Sequence, residues 1–183
     1  MDNLQVFYDN ALTPDEYREK LTDLKDGFDK IYNEHDITKD NEFENFKNSE
    51  MKLLVIAEPW CGHCMLNLPI LFKLAEEAGI DVKVALRDDN EELMNGYLTN
   101  GNKVIPKVIA INKEEKEAAV WGPRAPMTTV IQKDIMKDMP EKGTEEYDAA
   151  FKSAITEMKE KFKTSPELWD AVEKDLKATL TVK

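Results

Sequence analysis

The run Leu53-Leu54-Val55-Ile56-Ala57, ending two residues before Pro59 and followed at once by Trp60-Cys61-Gly62-His63-Cys64, constrains the fold more than any other stretch of the sequence. Five consecutive apolar residues with β-branched members suit a strand buried on both faces, and the proline just beyond ends it. Cys61 then opens a helix carrying Leu66, Leu68, Ile70, Leu71 and Leu74 as far as Gly79, with a kink expected at Pro69. A strand buried on both faces needs helices on either side, so the chain is predicted to be an α/β protein with a central sheet.

The remaining pattern fits that class. Val82 to Leu86 reads as a second strand, Glu91 to Leu98 as a helix stopped near Gly101, and Lys107 to Ile111 as a third strand. Asn112-Lys113-Glu114-Glu115 is a hairpin turn into a fourth strand, Glu117 to Trp121, so the last two strands are expected to be antiparallel in a mixed sheet. Asp89 or Asn90 is expected to cap the helix after the second strand, and Trp121 to belong to the core.

Upstream, Thr13-Pro14-Asp15-Glu16 offers a capping threonine, a proline at the first helical position and a glutamate to close a capping box. One helix is predicted over residues 13–35, with Tyr17, Leu21, Leu24, Phe28, Ile31 and Tyr32 on one face and Gly27 as its weak point; His35 is expected to be solvated near its end. A short turn bearing Phe43 and Phe46 follows. Beyond Pro126 the pattern is helical. Val130, Ile131, Ile135 and Met139 share one face, Tyr147, Phe151, Ile155, Met158 and Phe162 another, and Ser165-Pro166-Glu167 caps a last helix with Leu168, Trp169, Val172, Leu176 and Leu180. The expected organisation is a core domain over residues 1–139 and a helical extension over 140–183, whose apolar stripes either pack back on the core or face a partner.

Twenty-five basic against 37 acidic residues give a net charge of −12, which repels phosphate backbones and anionic lipid, so neither nucleic acid nor membrane is an expected partner. The amino-terminal MDNLQVFYDN lacks the basic and apolar parts of a secretory signal, and no apolar run approaches the length of a membrane span, so a cytoplasmic location is expected. In a reducing compartment two cysteines three positions apart are catalytic or metal-binding rather than structural. Zinc normally takes four ligands; the chain has two cysteines and two histidines, one of them the distant His35, so no metal and no bound cofactor is expected.

Cysteines three apart on the first turn of a helix lie on one side, within reach of a disulfide. The amides and dipole at a helix start favour the thiolate, and Cys61, at the very start, gains most. Cys61 is thus the expected attacking sulfur and Cys64 the one that resolves the mixed disulfide. A partly cationic His63 between them would favour the reduced state, which places the expected potential between about −270 and about −180 mV.

The stretch from Lys52 to Gly122 resembles the thioredoxin superfamily in its strand, its Trp60-Cys61-Gly62-His63-Cys64 motif, Pro69 five residues past the second cysteine, and Ile105-Pro106 before a strand. Trp121-Gly122-Pro123-Arg124 resembles a branch of thioredoxin-like proteins found in bacteria. The resemblance implies a thioredoxin-like fold with extra helices at both termini, a cis bond before Pro106 facing the dithiol, and substrate bound by Trp60, Gly62, Ile105 and Pro106. One departure stands out. Thioredoxins bear a buried aspartate six residues ahead of the first cysteine, where this chain has Val55. The nearest acid is Glu58, a proton acceptor for Cys64 if it is partly buried and a solvated loop residue otherwise.

Two classes of function remain. The first is an enzyme exchanging electrons with disulfides of proteins or small molecules, supplied by an electron-donating reductase. The second is a thioredoxin-fold adaptor or redox sensor acting through its C-terminal helices; a carrier delivering metal on its two thiols is a third.

Overall fold

A computed structural model describes residues 1–183. Helices α1 (Leu4–Asn10), α2 (Pro14–Glu19), α3 (Lys25–Glu34) and α4 (Asn41–Lys47) precede strand β1 (Met51–Ala57). Then come α5 (Gly62–Ala78), β2 (Val82–Leu86), α6 (Glu91–Asn95), β3 (Lys107–Asn112) and β4 (Glu117–Trp121), and α7 (Pro126–Ile135), α8 (Glu145–Thr164) and α9 (Pro166–Leu180) close the chain. The strands form one mixed sheet in the order β2-β1-β3-β4. β1 runs parallel to β2 and antiparallel to β3; β3 is antiparallel to β4, as the predicted hairpin turn requires. Leu53 through Ala57 are fully buried at the sheet centre, which is why that run carries no polar residue. The outcome is a thioredoxin-like α/β sandwich with additional helices at both ends. No helix is long and apolar enough to cross a membrane.

The amino-terminal region differs from its prediction. In place of one helix over 13–35, the Thr13 capping box starts a helix that stops at Glu19, and a second begins at Lys25. Leu21 and Leu24 are nonetheless buried, because the link itself folds them into the core, so the apolar spacing there has a different cause from helical periodicity. Gly27 lets α3 close on α5: a Cβ there would lie 2.4 Å from Met65 Sδ. The short α1 went unrecognised; its Leu4 and Tyr8 pack inward, and Lys52 covers the Tyr8 ring at 4.8 Å. α5 runs unbroken through Pro69. Asn90 precedes α6 without capping it, its side chain donating instead to the Leu86 carbonyl at 2.8 Å.

The C-terminal helices bury the stripe predicted for α9, and α9 packs on α4, α5 and β4. Trp121 Nε1 donates to Asp175 at 2.7 Å and Trp169 Nε1 to the Phe162 carbonyl at 2.7 Å, so the indoles tie α9 to the sheet and to the last turns of α8. Only part of the α8 stripe is covered: Ala154, Met158 and Phe162 are buried, while Phe151 is exposed and stacks on Tyr147. Val130 of α7 is likewise exposed.

His35 is not the solvated residue expected from the sequence. It is 4% exposed, with Nε2 2.8 Å from Glu173 Oε1. Glu173 also accepts from Lys177 at 2.8 Å and from the Thr38 amide, and Lys177 reaches Asp40 at 3.2 Å. Glu173 and Lys177 are 3% and 2% exposed. Burial alone would raise the Glu173 carboxyl; the hydrogen bonds from His35 and Lys177, the Lys177 charge and the Thr38 amide outweigh it and hold the carboxyl below its usual range. Glu173→Leu leaves Lys177 buried without its nearest counter-charge and is expected to cost about 3–5 kcal/mol of stability. A lowered carboxyl contributes stability that is present above the ordinary glutamate value and lost as pH falls through the folded one. The urea midpoint of the natural chain should therefore fall as the pH drops below the ordinary glutamate value of about 4.3, more steeply than that of Glu173→Gln.

Candidate active site

β1 delivers the chain to the dithiol. Past Ala57 the Glu58 carbonyl accepts from the Cys61 amide at 3.2 Å and from the Tyr17 hydroxyl at 3.1 Å, which fixes the turn from two sides. Cys61, with extended backbone angles of φ −82° and ψ 119°, is the N-cap of α5, and its sulfur accepts from the Cys64 amide at 3.2 Å. The Cys61 thiol also faces the Ile105 carbonyl at 3.8 Å. Both cysteines are free thiols, Cys61 8% exposed and Cys64 fully buried.

Burial and hydrogen bonding push the two sulfurs apart in acidity. The Cys64 side chain, the Cys64 and His63 amides and the Arg87 charge outweigh burial and hold Cys61 below its ordinary value. Cys64 is driven well above it, first by burial and then by the neighbouring sulfur. The pair is thus built with one ionisable, near-surface sulfur and one protected protonated sulfur behind it.

Ile105-Pro106 is a cis peptide facing Cys61, and Trp60, the residue before Cys61, is 58% exposed with Arg87 4.9 Å over its ring. Gly122 closes the floor at φ +118°: a Cβ on it would meet the Pro106 carbonyl oxygen at 2.3 Å, so only glycine lets the end of β4 approach there. Lys107 donates to the Gly122 carbonyl at 3.1 Å and holds the same two segments together.

A Thioredoxin family model matches residues 11–140. The chain belongs to the thioredoxin family. Among curated proteins it is 32% identical over 79 residues to the chloroplastic Thioredoxin M5 of Oryza sativa subsp. japonica, covering 41% of this chain and 44% of that one. It is 36% identical over 59 residues to a thioredoxin-like protein of Haemophilus influenzae, covering 32% and 35%. The chain thus spans less than half the length of these relatives. Among solved structures it matches a protein of unknown function from Pseudomonas aeruginosa with a TM-score of 0.61 and 14% identity, over 94% of this chain and 93% of that one. An HIV epitope-scaffold protein matches with a TM-score of 0.62, also at 14% identity, over 95% and 94%. At that identity these two speak to the fold.

Within this thioredoxin framework the remaining predicted residues fall close to the dithiol, but not all in the expected state. Glu58 is 5% exposed; burial raises its pKa, although the Asp88 amide donates to Oε1 at 2.9 Å. That is the buried condition required of a proton acceptor, met here three residues before Cys61. His63 contradicts its prediction. Its ring packs 5.3 Å from that of Phe162 on α8, and burial, with the Arg124 charge adding, lowers its pKa to about 4. It is neutral at pH 7, so the inference from a cationic imidazole to a raised potential fails. Tyr17, Phe162 and Lys159 are the neighbours that sequence reasoning missed, because each arrives from a helix distant in the chain and carries no motif of its own.

At pH 7 iodoacetamide should label Cys61 and leave Cys64 intact, with the two sites resolved by mass spectrometry. The pH profile of labelling in His63→Gln should keep its midpoint and show no missing step near pH 6 to 7, because there is no imidazolium to remove.

Proposed function

We propose that this chain is a thiol–disulfide oxidoreductase of the reductase or isomerase kind, acting on disulfides of proteins or small molecules. The observation that carries this reading is the asymmetry of the pair: a helix-capping Cys61 with lowered pKa in front of a fully buried Cys64. The Cys61 thiolate attacks one sulfur of a substrate disulfide; a Cys61–substrate S–S bond forms, the substrate S–S bond breaks, and one substrate thiolate leaves and takes up a proton. Cys64 then gives up its proton and attacks the Cys61 sulfur, which forms the Cys61–Cys64 disulfide and releases the second substrate thiol. Two electrons pass to the substrate. Glu58 is the acceptor we assign for the Cys64 proton, since it is the acid nearest the motif and is buried with a raised pKa. Trp60, Gly62, Ile105 and Pro106 form the surface against which substrate lies, with the Ile105 backbone offered to an extended segment. The cycle needs no bound cofactor, only an external reductase or dithiol to restore the pair. A chain with two cysteines in this arrangement suits a reducing compartment, and we place it in the cytoplasm.

A second reading, a redox sensor working through its C-terminal helices, draws on the contact of His63 with Phe162 of α8, which links the motif to that extension. Turnover separates the two. The natural chain should accelerate insulin reduction by dithiothreitol, and Cys61→Ser should abolish the acceleration; a sensor leaves the rate at background in both. Cys64→Ser should accumulate mixed disulfides on Cys61. Glu58→Gln should slow the resolving step by roughly ten-fold or more while leaving Cys61 alkylation within about two-fold, as read by quenched-flow mass analysis.

A further inference from the structure

The charges beside the dithiol run against the charge of the chain. The sequence carries −12 overall, yet two cations border the motif without a carboxylate partner. Lys159 of α8 lies along Gly62: a Cβ on Gly62 would stand 3.7 Å from Lys159 Cε and 3.9 Å from its Cγ. The residue is half-buried, so its stem packs along Gly62, between the two cysteines, and its ammonium group sits one bond beyond that contact. That group makes no ion pair and no hydrogen bond with the rest of the chain, although Lys163, one turn on, is paired with Glu160 at 3.0 Å. Arg124 follows the Gly122-Pro123 segment that backs Pro106, and its guanidinium meets only the Gln132 amide oxygen, at 2.6 Å.

The acids of the neighbourhood do not cancel these charges. Glu58 is buried beneath the Asp88 amide, Asp88 is paired with Arg87 at 2.9 Å, and Glu157 and Glu160 line the cleft between α7 and α8. Asp89, on the 3₁₀ turn after β2, is the one exposed acid left near Glu58. Unpaired cations beside a reacting sulfur attract an anionic partner and stabilise the thiolate that leaves it.

We propose that Lys159 and Arg124 form a cationic rim that selects disulfides whose sulfurs are flanked by carboxylates. This rests on the reading of Cys61 as the attacking sulfur and adds the substrate class. Lys159 is a specificity-determining residue supplied by the C-terminal extension, and neither position takes part in the electron transfer itself.

The test uses the full-length reduced chain and three symmetrical disulfides of graded charge: dithiodipropionate, bis(hydroxyethyl) disulfide and cystamine. Formation of the Cys61–Cys64 disulfide is followed by acid quench and intact mass, and each rate is divided by that of dithiothreitol with the same disulfide to remove intrinsic reactivity. The natural chain should favour dithiodipropionate over cystamine by roughly ten-fold at low salt, a preference that collapses at about 0.5 M salt. Lys159→Met, which keeps the apolar stem, should slow dithiodipropionate by about three- to five-fold, leave the neutral disulfide within about two-fold and speed cystamine. Arg124→Gln, on a separate segment, should move the same ratio the same way. A peptide disulfide flanked by glutamates should outrun its lysine-flanked counterpart if the physiological carboxylates belong to protein; a preference confined to the small disulfides points to a free metabolite of the same chemistry, and either result supports the rim. Equal rates for anionic and cationic disulfides, or a Lys159→Met effect equal on all three, overturns this proposal alone. Absence of exchange with every disulfide overturns the oxidoreductase reading and the rim with it.

Discussion

The hydrogen bond from the Cys64 amide to the Cys61 sulfur, 3.2 Å long, does two things at once. It caps α5 in the place where serine, threonine or aspartate oxygen normally serves, and it sets the acidity of the sulfur. A neutral thiol is a weak acceptor, whereas a thiolate is a strong one, so the capping interaction reaches full strength only when Cys61 is ionised. Helix start and reactive thiolate are therefore one interaction rather than two. The turn that makes it possible is pinned by the Glu58 carbonyl, which receives both the Cys61 amide and the Tyr17 hydroxyl, and by the Glu58 carboxyl, which receives the Asp88 amide. Three segments of chain thus converge on the residues that place one sulfur.

The departure at Val55 becomes intelligible in the sheet. Val55 is fully buried on the central strand, opposite Val84 on one side and Val108 on the other. A carboxylate there would have no counter-charge and no donor among its cross-strand neighbours, and its desolvation would go uncompensated. Glu58, just past the end of the strand, has the Asp88 amide for a partner and lies beside the mouth of the site. Moving the acid from the strand to the turn keeps a buried carboxyl near the dithiol while the sheet stays wholly apolar.

Features carried by neighbouring residues were legible in the sequence. The bounds of β4 at Glu117 and Trp121, the capping box at Thr13, the antiparallel pairing of the last two strands, and Cys61 at a helix start all follow from patterns a few residues long. What was not legible depends on partners far along the chain. His35 reads as a solvated helix-end residue until Glu173, 138 positions later, is brought against it. His63 reads as a cation until Phe162 covers it and burial strips its proton. The break between α2 and α3 hides because Leu21 and Leu24 keep helical spacing while being buried by a loop. In each case the local pattern was real and its cause was tertiary.

The same long-range contacts bind the C-terminal helices to the chemistry. α9 is anchored by the buried Glu173 and Lys177, which reach His35 and Asp40 near α3 and α4, and by Trp121 from β4 through Asp175. Trp169 of α9 then holds the Phe162 carbonyl of α8, the Phe162 ring lies against His63, and Lys159, one turn earlier, lies along Gly62. Each step is a packed or hydrogen-bonded contact, so the environment of the two residues between the cysteines is set by helices more than ninety positions away in sequence. A family motif of four residues leaves that environment unspecified. In this chain the Phe162 ring covers His63, the Lys159 stem lies along Gly62 and Arg124 adds a positive charge near His63, and these neighbours, rather than the motif, decide the protonation of the imidazole and the charge an incoming disulfide meets.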